Sequence, residues 1–267
     1  MEQISVITRR MPGVQQREAP NLFCGHICEE YRREARSVQN SLLPSRNLAT
    51  KVVEIAFRYG PFAEVGGDFA DFFVLDDGLI GLYVGDVVGK GLPAALYAGL
   101  VMGTLRGIHK TGIDTASVLT LLNDRLLVRP VPNRFSATLY ARFDPQTDQL
   151  TFSNAGLPYP ILLTKHECKR LGDGGFPSGM FPKASYGLHS IQMSPGDAIL
   201  IATDGLHELC NPQGIEFSTG RLIEIWSQCA GKSAEDSVKF LFDALGAYSD
   251  TGPQDDVTAI VLKVNGN

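Results

Sequence analysis

Leu79-Ile80-Gly81-Leu82-Tyr83-Val84-Gly85-Asp86-Val87-Val88-Gly89-Lys90-Gly91 is the stretch on which the fold turns. Its first seven residues are almost wholly apolar. Such a run suits a strand covered on both faces or a buried piece of helix, and its length and flanking glycines favour the strand. Asp86 follows it directly, so a carboxylate stands at the tip of a buried strand.

The same arrangement recurs elsewhere. Ala198-Ile199-Leu200-Ile201-Ala202 is a second apolar run, with Asp204 just past its end. Val257-Thr258-Ala259-Ile260-Val261-Leu262 is a third, and here Asp255 and Asp256 come first. An antiparallel placement brings the start of that strand beside the ends of the others. Asp68, in Glu64-Val65-Gly66-Gly67-Asp68, is placed by a hairpin. Asp77-Gly78 is a two-residue turn signal between Phe72-Phe73-Val74-Leu75 and Leu79-Ile80. With Asp76 paired to Leu79, Phe69 falls opposite Asp86, and Asp68 lies within one residue of it.

An aspartate beside glycine at a strand end is ordinarily a turn residue, and any one of these alone reads that way. Four that converge are different. Gathering buried carboxylates without a cation is costly through repulsion and desolvation. Mg²⁺ and Mn²⁺ take oxygen ligands of this kind.

These segments resemble the metal-dependent protein serine/threonine phosphatases, in the bacterial branch typified by RsbU and the stage-two sporulation phosphatase. The resemblance is carried by Glu64 to Asp71, Gly85 to Leu96, Asn154-Ala155-Gly156, Ser194-Pro195-Gly196-Asp197, Thr203-Asp204-Gly205 and Gln254 to Thr258. It runs from about Gln39 to Val264, in the family's order. It implies an α+β fold, a four-layer α-β-β-α sandwich of two antiparallel sheets flanked by helices, with two Mn²⁺ or Mg²⁺ ions at one end. By motif position Asp86 bridges both metals, with the Val87 carbonyl as a further ligand. Asp204 and Asp255 hold the second metal, and Asp68 acts at or just outside the coordination sphere. Asp256 stands where many relatives carry Asn, which favours a supporting role over direct ligation. Asp86, Asp204 and Asp255 are the candidate catalytic residues.

The implied chemistry is hydrolysis of phosphoserine or phosphothreonine by water acidified between two ions about 3.5–4 Å apart, with no covalent intermediate. The chain also departs from the family. Val88 occupies the position of a His that many eukaryotic relatives carry as a candidate proton donor. Ala63 stands at the position of their phosphate-gripping Arg, and Arg58, nearby in sequence, reads as a solvated strand residue. Leu157 replaces a His common in this branch, and His207 a common Thr. Gly85 to Gly91 lacks the spacing of a phosphate-cradling loop, because Leu92 follows Gly91. Its glycines suit close backbone approach to metals, and Lys90 reads as exposed rather than catalytic.

Composition narrows the classes. The chain has 267 residues and a formal net charge of −5. With no basic block, nucleic acid and anionic membrane surfaces are not expected partners. No apolar stretch is long enough for a membrane span. Met1-Glu2-Gln3-Ile4-Ser5 lacks a signal-peptide pattern, so the expected location is cytoplasmic. Five cysteines without a signal read as free thiols. Cys24-Gly25-His26-Ile27-Cys28 has no second cluster to complete a zinc site.

Residues 1–20 show no periodicity and are expected to be a flexible segment. Residues 21–47 form an N-terminal linker or regulatory helix, and 48–267 the phosphatase domain. Cys24 to Leu43 places Ile27, Tyr31, Ala35, Val38 and Leu42 on one helical face. That face packs on its own domain, or it receives an activator or a second copy through residues 24–43. Pro93 opens an apolar helix to about His109, expected to be buried on all sides, with small residues Ala94, Ala95, Ala98, Gly99 and Gly103 as its packing surface. Asp114 caps a second helix to about Val128. Shifting of this pair to complete the metal site is the regulation the resemblance suggests. Ser136 to Phe143 alternates as a strand, and Gly172 to Pro182 is a Gly/Pro-rich surface loop near the substrate end. Phe217 to Cys229 and Ser233 to Ala247 are the last helices.

The expected function is metal-dependent dephosphorylation of a regulatory protein, such as an anti-sigma-factor antagonist. An alternative is a phosphatase-fold binding module with weak or no turnover, suggested by Val88 and Ala63. A two-metal phosphodiesterase is a third reading, disfavoured by the acidic balance.

Overall fold

The computed structural model describes residues 24–108, 113–249, 252 and 254–266, and for 24–28 it describes the backbone alone. The flexible segment expected at residues 1–20, and the Cys24 and Cys28 thiols, lie outside the described residues and side chains. The elements in chain order are α1 (Cys24–Leu42), β1 (Leu48–Ala49), β2 (Val53–Gly60), β3 (Phe69–Val74), β4 (Ile80–Val87), α2 (Gly91–Ile108) and α3 (Thr115–Val128). There follow β5 (Ser136–Asp144), β6 (Gln149–Ala155), β7 (Ile161–Leu163), β8 (Cys168–Arg170), β9 (His189–Gln192) and β10 (Ala198–Ala202). The series ends with α4 (Ser218–Ser227), α5 (Ala234–Tyr248) and β11 (Val257–Val264).

The strands form two sheets, ordered β1-β2-β11-β10-β7-β8 and β3-β4-β5-β6-β9. Every pairing is antiparallel. Alternation along each strand decides the layers. Ile80, Leu82 and Val84 of β4 meet Ile199 and Ile201 of β10 and Ile260 and Leu262 of β11 in a core between the sheets. The opposite faces bury Tyr83, Val87 and Tyr140 under α2 and α3, and Leu200, Ala259 and Val261 under α4 and α5. The result is the expected four-layer sandwich, made necessary because both faces of both central sheets are apolar.

The caps hold as expected. Asp114 accepts from Ser117 N at 2.9 Å, and Ser233 Oγ accepts from Asp236 N at 3.0 Å. Each satisfies an amide at the start of its helix.

Two expectations need correction. The β3–β4 hairpin is not a two-residue turn. Leu75 N donates to Leu79 O at 2.8 Å, and Gly78 N to Leu75 O at 2.9 Å. The loop is therefore Asp76-Asp77-Gly78, with Gly78 at φ 84° and Asp77 Oδ1 accepting from Leu79 N at 3.1 Å. A left-handed glycine closing a three-residue loop is the alternative hairpin geometry. It moves the register by one, so that Phe69 faces Gly85.

The second correction concerns α2, which is not buried all round. Leu92, Leu96 and Leu100 are exposed, Leu96 by 70%. Ala94 and Ala98 are buried, but a Cβ at Gly99 or Gly103 would meet no atom within 4 Å. The small residues are thus split between two faces, and hydrophobicity alone does not report which side the sheet covers.

On α1, where two readings of the apolar face were open, Tyr31 and Val38 are 67% and 57% exposed, so that part of the face does not pack on the domain. The helix docks instead through Gln39, Leu42 and the following Leu43. A 260 Å³ apolar cavity lined by Ala35, Leu42, Leu96 and Met102 separates it from α2.

Candidate metal centre

The inner faces of four strands change character at one end. In the inter-sheet core stand Ala70, Val84, Ile201 and Ile260. Two residues further toward that end, in the same side-chain parity, stand Asp68, Asp86, Thr203 and Thr258. Period-two alternation therefore aims all four polar side chains into the seam that the apolar residues fill below. The register supports this, since Ala70 faces Val84 and Ile201 faces Ile260.

The corrected hairpin register sets Asp68 directly across from Asp86. Val87 N donates to Gly67 O at 3.3 Å, which makes Gly67 and Val87 a hydrogen-bonded pair. Asp68 and Asp86 then form the next, non-hydrogen-bonded pair, whose side chains approach more closely. Gly67 allows this. A Cβ on it would lie 2.7 Å from the Val87 carbonyl oxygen and 3.1 Å from Asp86 Oδ1, so these two oxygens share one gap.

Asp68 is buried. Its Oδ2 accepts from Thr203 Oγ1 at 2.8 Å, and Thr203 Oγ1 accepts from Thr258 N at 2.9 Å. Burial, and then the Asp86 charge, raise its pKa well above the usual carboxylate range. Asp86 is half-buried. Burial, followed by the Asp204 charge, pushes its pKa up to about 7, with Asp255 and Asp256 adding to the rise. Five carboxylates thus repel one another in one place, at the open edge of the core.

Asp204 follows β10 in a single 3₁₀ turn, Asp204–Leu206. A Cβ on Gly205 would meet Asp256 O at 2.1 Å, so glycine lets this turn close on the start of β11. Asp255 is half-buried. Its Oδ2 lies 2.8 Å from Lys90 Nζ, and its Oδ1 accepts from Asp256 N at 2.9 Å. Lys90 also donates to Gln254 O at 2.7 Å and lies over the Phe62 ring. It is exposed, as expected, yet it tethers the loop carrying Asp255.

Asp256 is engaged differently. Oδ1 accepts from Phe62 N at 2.8 Å and Oδ2 from Gly67 N at 2.7 Å. Both oxygens hold the loop that leads to Asp68, in keeping with a supporting role. Arg58 is exposed and stacks 4.7 Å over Phe242. Leu157 is buried in a turn made by Asn154, which accepts from Leu157 N and donates to Leu157 O, each at 2.8 Å.

Among the described residues no three His, Cys, Asp or Glu side chains stand close enough, as placed, to enclose an ion. The donor chemistry nevertheless fits a hard cation. Asp86 Oδ1 and the Val87 carbonyl line one gap, all the donors are oxygens, and the clustered carboxylates call for positive charge. Asp86, Val87, Asp204 and Asp255 are the groups available to hold it, with Asp68 behind them.

Sequence reasoning missed Thr203, Thr258, Gln39 and Tyr59. The threonines carried a usable signal, since each continues the inner-face parity of its strand. Gln39 and Tyr59 gave none, because their contacts are set by how α1 and β2 pack.

Beside Asp204 lies a cleft of about 400 Å³, lined by Tyr159, Arg170, Gly174, His207, Glu208 and Thr219 among others. The Gly/Pro-rich loop forms one of its walls. That loop is fastened by paired bonds between Ser136 and Ser178, at 3.0 and 2.8 Å, which places it near the acidic end as expected.

Comparison with known proteins agrees with this fold. Residues 76–265 match the family model for stage II sporulation protein E. The phosphoserine phosphatase RsbU of Bacillus subtilis (strain 168) is 26% identical over 231 residues, covering 86% of this chain and 68% of that protein. The SiaA-PP2C domain of Pseudomonas aeruginosa superposes with a TM-score of 0.81 at 20% identity, over 90% of this chain and 98% of that domain. RsbX in complex with magnesium superposes with a TM-score of 0.62 at 18% identity, over 82% of this chain and 99% of that one. At these identities the two solved structures speak for the fold. Among the described residues no helix is long and apolar enough to cross a membrane.

Proposed function

The chain belongs to the stage II sporulation protein E family of PP2C-type phosphatase domains, and from that premise we propose that it hydrolyses phosphoserine or phosphothreonine on a regulatory protein with the help of two Mn²⁺ or Mg²⁺ ions. The observation that carries this reading is the switch of four inner strand faces from apolar to carboxylate and hydroxyl at a single end. A purely structural sandwich has no use for Asp68 and Asp86 facing each other across a hairpin.

In this reading Asp86, the Val87 carbonyl, Asp204 and Asp255 would hold the ions. Asp68 stands behind Asp86, its orientation fixed by Thr203. Asp256 holds the Phe62 and Gly67 amides and so shapes the loop. When bound, the ions supply positive charge for the phosphoryl oxygens and an acidified water as nucleophile. Lys90 offsets part of the Asp255 charge. The cleft beside Asp204 would seat residues flanking the phosphorylated side chain, with Arg170 and His207 near it.

Similarity to a phosphoserine phosphatase supports a protein substrate, such as an anti-sigma-factor antagonist. An activator or a second copy docking through residues 24–43 is supported by the exposed Tyr31 and Val38 beside exposed Leu92 and Leu96.

The test is Mn²⁺-dependent release of phosphate from phosphoserine proteins of the same organism, with Asp86→Ala and Asp204→Asn as controls. Turnover by the wild type, lost in both variants, supports the reading. Phosphate release that survives Asp86→Ala, or none from any phosphoprotein at saturating Mn²⁺, overturns it.

A further inference from the structure

One buried polar side chain has no part in the chemistry above. Gln39 is 9% exposed, whereas the other polar residues of the helix between Glu29 and Ser41 are exposed. Its carboxamide bonds both main-chain groups of a single residue. Nε2 donates to Gly66 O at 2.7 Å, and Oε1 accepts from Gly66 N at 3.1 Å. This is the pattern by which one strand residue pairs with another. Gly66 itself lies outside the strands, since β3 begins at Phe69, and no strand pairing includes it. Tyr59 OH donates to the same Oε1 at 3.4 Å.

Gly66 lies two residues before Asp68. Its other side is closed, since a Cβ there would lie 2.0 Å from Asp256 Oδ2. The loop is therefore held between two side chains from distant parts of the chain. Gln39 takes both polar groups of Gly66, and Asp256 takes the Gly67 amide. Buried main-chain groups need partners, and here a glutamine supplies them where no strand does.

We propose that Gln39 is a positioning residue for the metal centre: its carboxamide substitutes for a neighbouring strand and holds Gly66-Gly67 so that Asp68 meets Asp86. The proposal rests on the metal-centre reading. The competing explanation is that Gln39 only anchors α1. That helix has a second tether, which allows the two to be separated. Arg106 Nη2 donates to Leu42 O at 2.6 Å, while its Nε and Nη2 bond Asp71 Oδ2 at 2.9 and 2.6 Å.

The experiment compares the full chain with Gln39→Met, Gln39→Glu and Arg106→Met. Methionine keeps length and helix propensity without polar atoms. Glutamate keeps an acceptor for Gly66 N but sets an acceptor against Gly66 O. The readouts are Mn²⁺ dissociation constant by calorimetry and metal-free hydrogen exchange at the Gly66 and Gly67 amides. Partners that orient metal ligands are typically worth roughly 10–100-fold in affinity. Gln39→Met is expected to weaken Mn²⁺ binding at least about tenfold and to speed exchange at Gly66. Gln39→Glu should move both in the same direction, whereas Arg106→Met should leave both near wild type. Wild-type Mn²⁺ affinity and Gly66 exchange in Gln39→Met overturn the proposal. So does an Arg106→Met variant that weakens Mn²⁺ binding equally, which would reduce Gln39 to an anchor. A wild type that takes up no Mn²⁺ defeats the proposed function, and with it the part of this proposal that concerns the metal. In that case Gly66 exchange still decides whether the clamp exists.

Discussion

Thr203 donates its hydroxyl proton to Asp68 Oδ2 at 2.8 Å, across the seam between the two sheets. Thr203 Oγ1 in turn accepts from Thr258 N at 2.9 Å. One hydroxyl thus fastens the hairpin sheet to the β10–β11 pair where the apolar core ends. Thr203→Val preserves shape but leaves two buried groups unpaired, so it is expected to cost about 1–3 kcal/mol. Urea denaturation of both proteins checks this; a loss below about 0.5 kcal/mol would contradict the role assigned to the bond.

Asp86 sits in the field of Asp204, Asp255 and Asp256. Asp86→Asn removes one repelling charge at little change in volume. Without metal at pH 8 the variant should be more stable than wild type, by more than about 1 kcal/mol. In the presence of Mn²⁺ the order should reverse, because the wild type gains from ligand binding and the variant does not. Thermal melts with chelator and with Mn²⁺ read both halves.

The pH dependence follows from sign. Asp86 is raised from 3.8 to about 7 in the fold, and Asp68 and Glu208 are raised as well. A raised carboxyl contributes stability that is fully present below its unfolded pKa and is lost as pH rises through the folded one. Asp114 and Asp144 are lowered, and their contribution falls away only at lower pH. The metal-free protein should therefore lose stability between about pH 4 and 7, and saturating Mg²⁺ should flatten that slope. A chelated melt that rises steadily from pH 5 to pH 7 would show that the carboxylates do not repel in the folded state.

Two glycines separate packing from propensity. Gly66→Ala would force a methyl to within 2.0 Å of Asp256 Oδ2, displacing the loop that carries Asp68. It should cost about 1–3 kcal/mol and abolish Mn²⁺ uptake. Gly103 is exposed within α2, and a Cβ there meets nothing within 4 Å. Gly103→Ala should add about 0.5–1 kcal/mol and leave Mn²⁺ uptake unchanged. Equal effects in denaturant melts would refute the close approach at Gly66.

The central strands were legible because strands buried on both faces cannot hide in a sequence. Leu79 to Gly85, Ala198 to Ala202 and, apart from Thr258, Val257 to Leu262 are almost wholly apolar, and each became a central strand. Where one residue of register mattered, local reasoning failed. Asp77-Gly78 is a good turn signal, but Asp76 joins the loop and the pairing shifts by one. The shift brought Asp68 into line with Asp86, one residue closer than the turn arithmetic allowed. Hydrophobicity also misled on α2, since Leu96 is apolar and exposed, and on α1 it left open whether Val38 is covered, which it is not. A helix side is covered or left open by what else is present, which composition does not record.

Apolar runs and strand-end aspartates, read in order, located the central strands, their tips and the residue types of the acidic cluster, because these depend on local periodicity and on which faces must be buried; the four layers came from the family resemblance those segments carry. Only the tertiary structure decided that Thr203 would hold Asp68, that Asp256 would turn to the Phe62 and Gly67 amides, and that Gln39 would fill the place of a strand beside Gly66. Those pairings join residues separated by 135, 194, 189 and 27 positions. Contacts at such separations are set by how packed elements meet in space, and no local pattern in the chain encodes them.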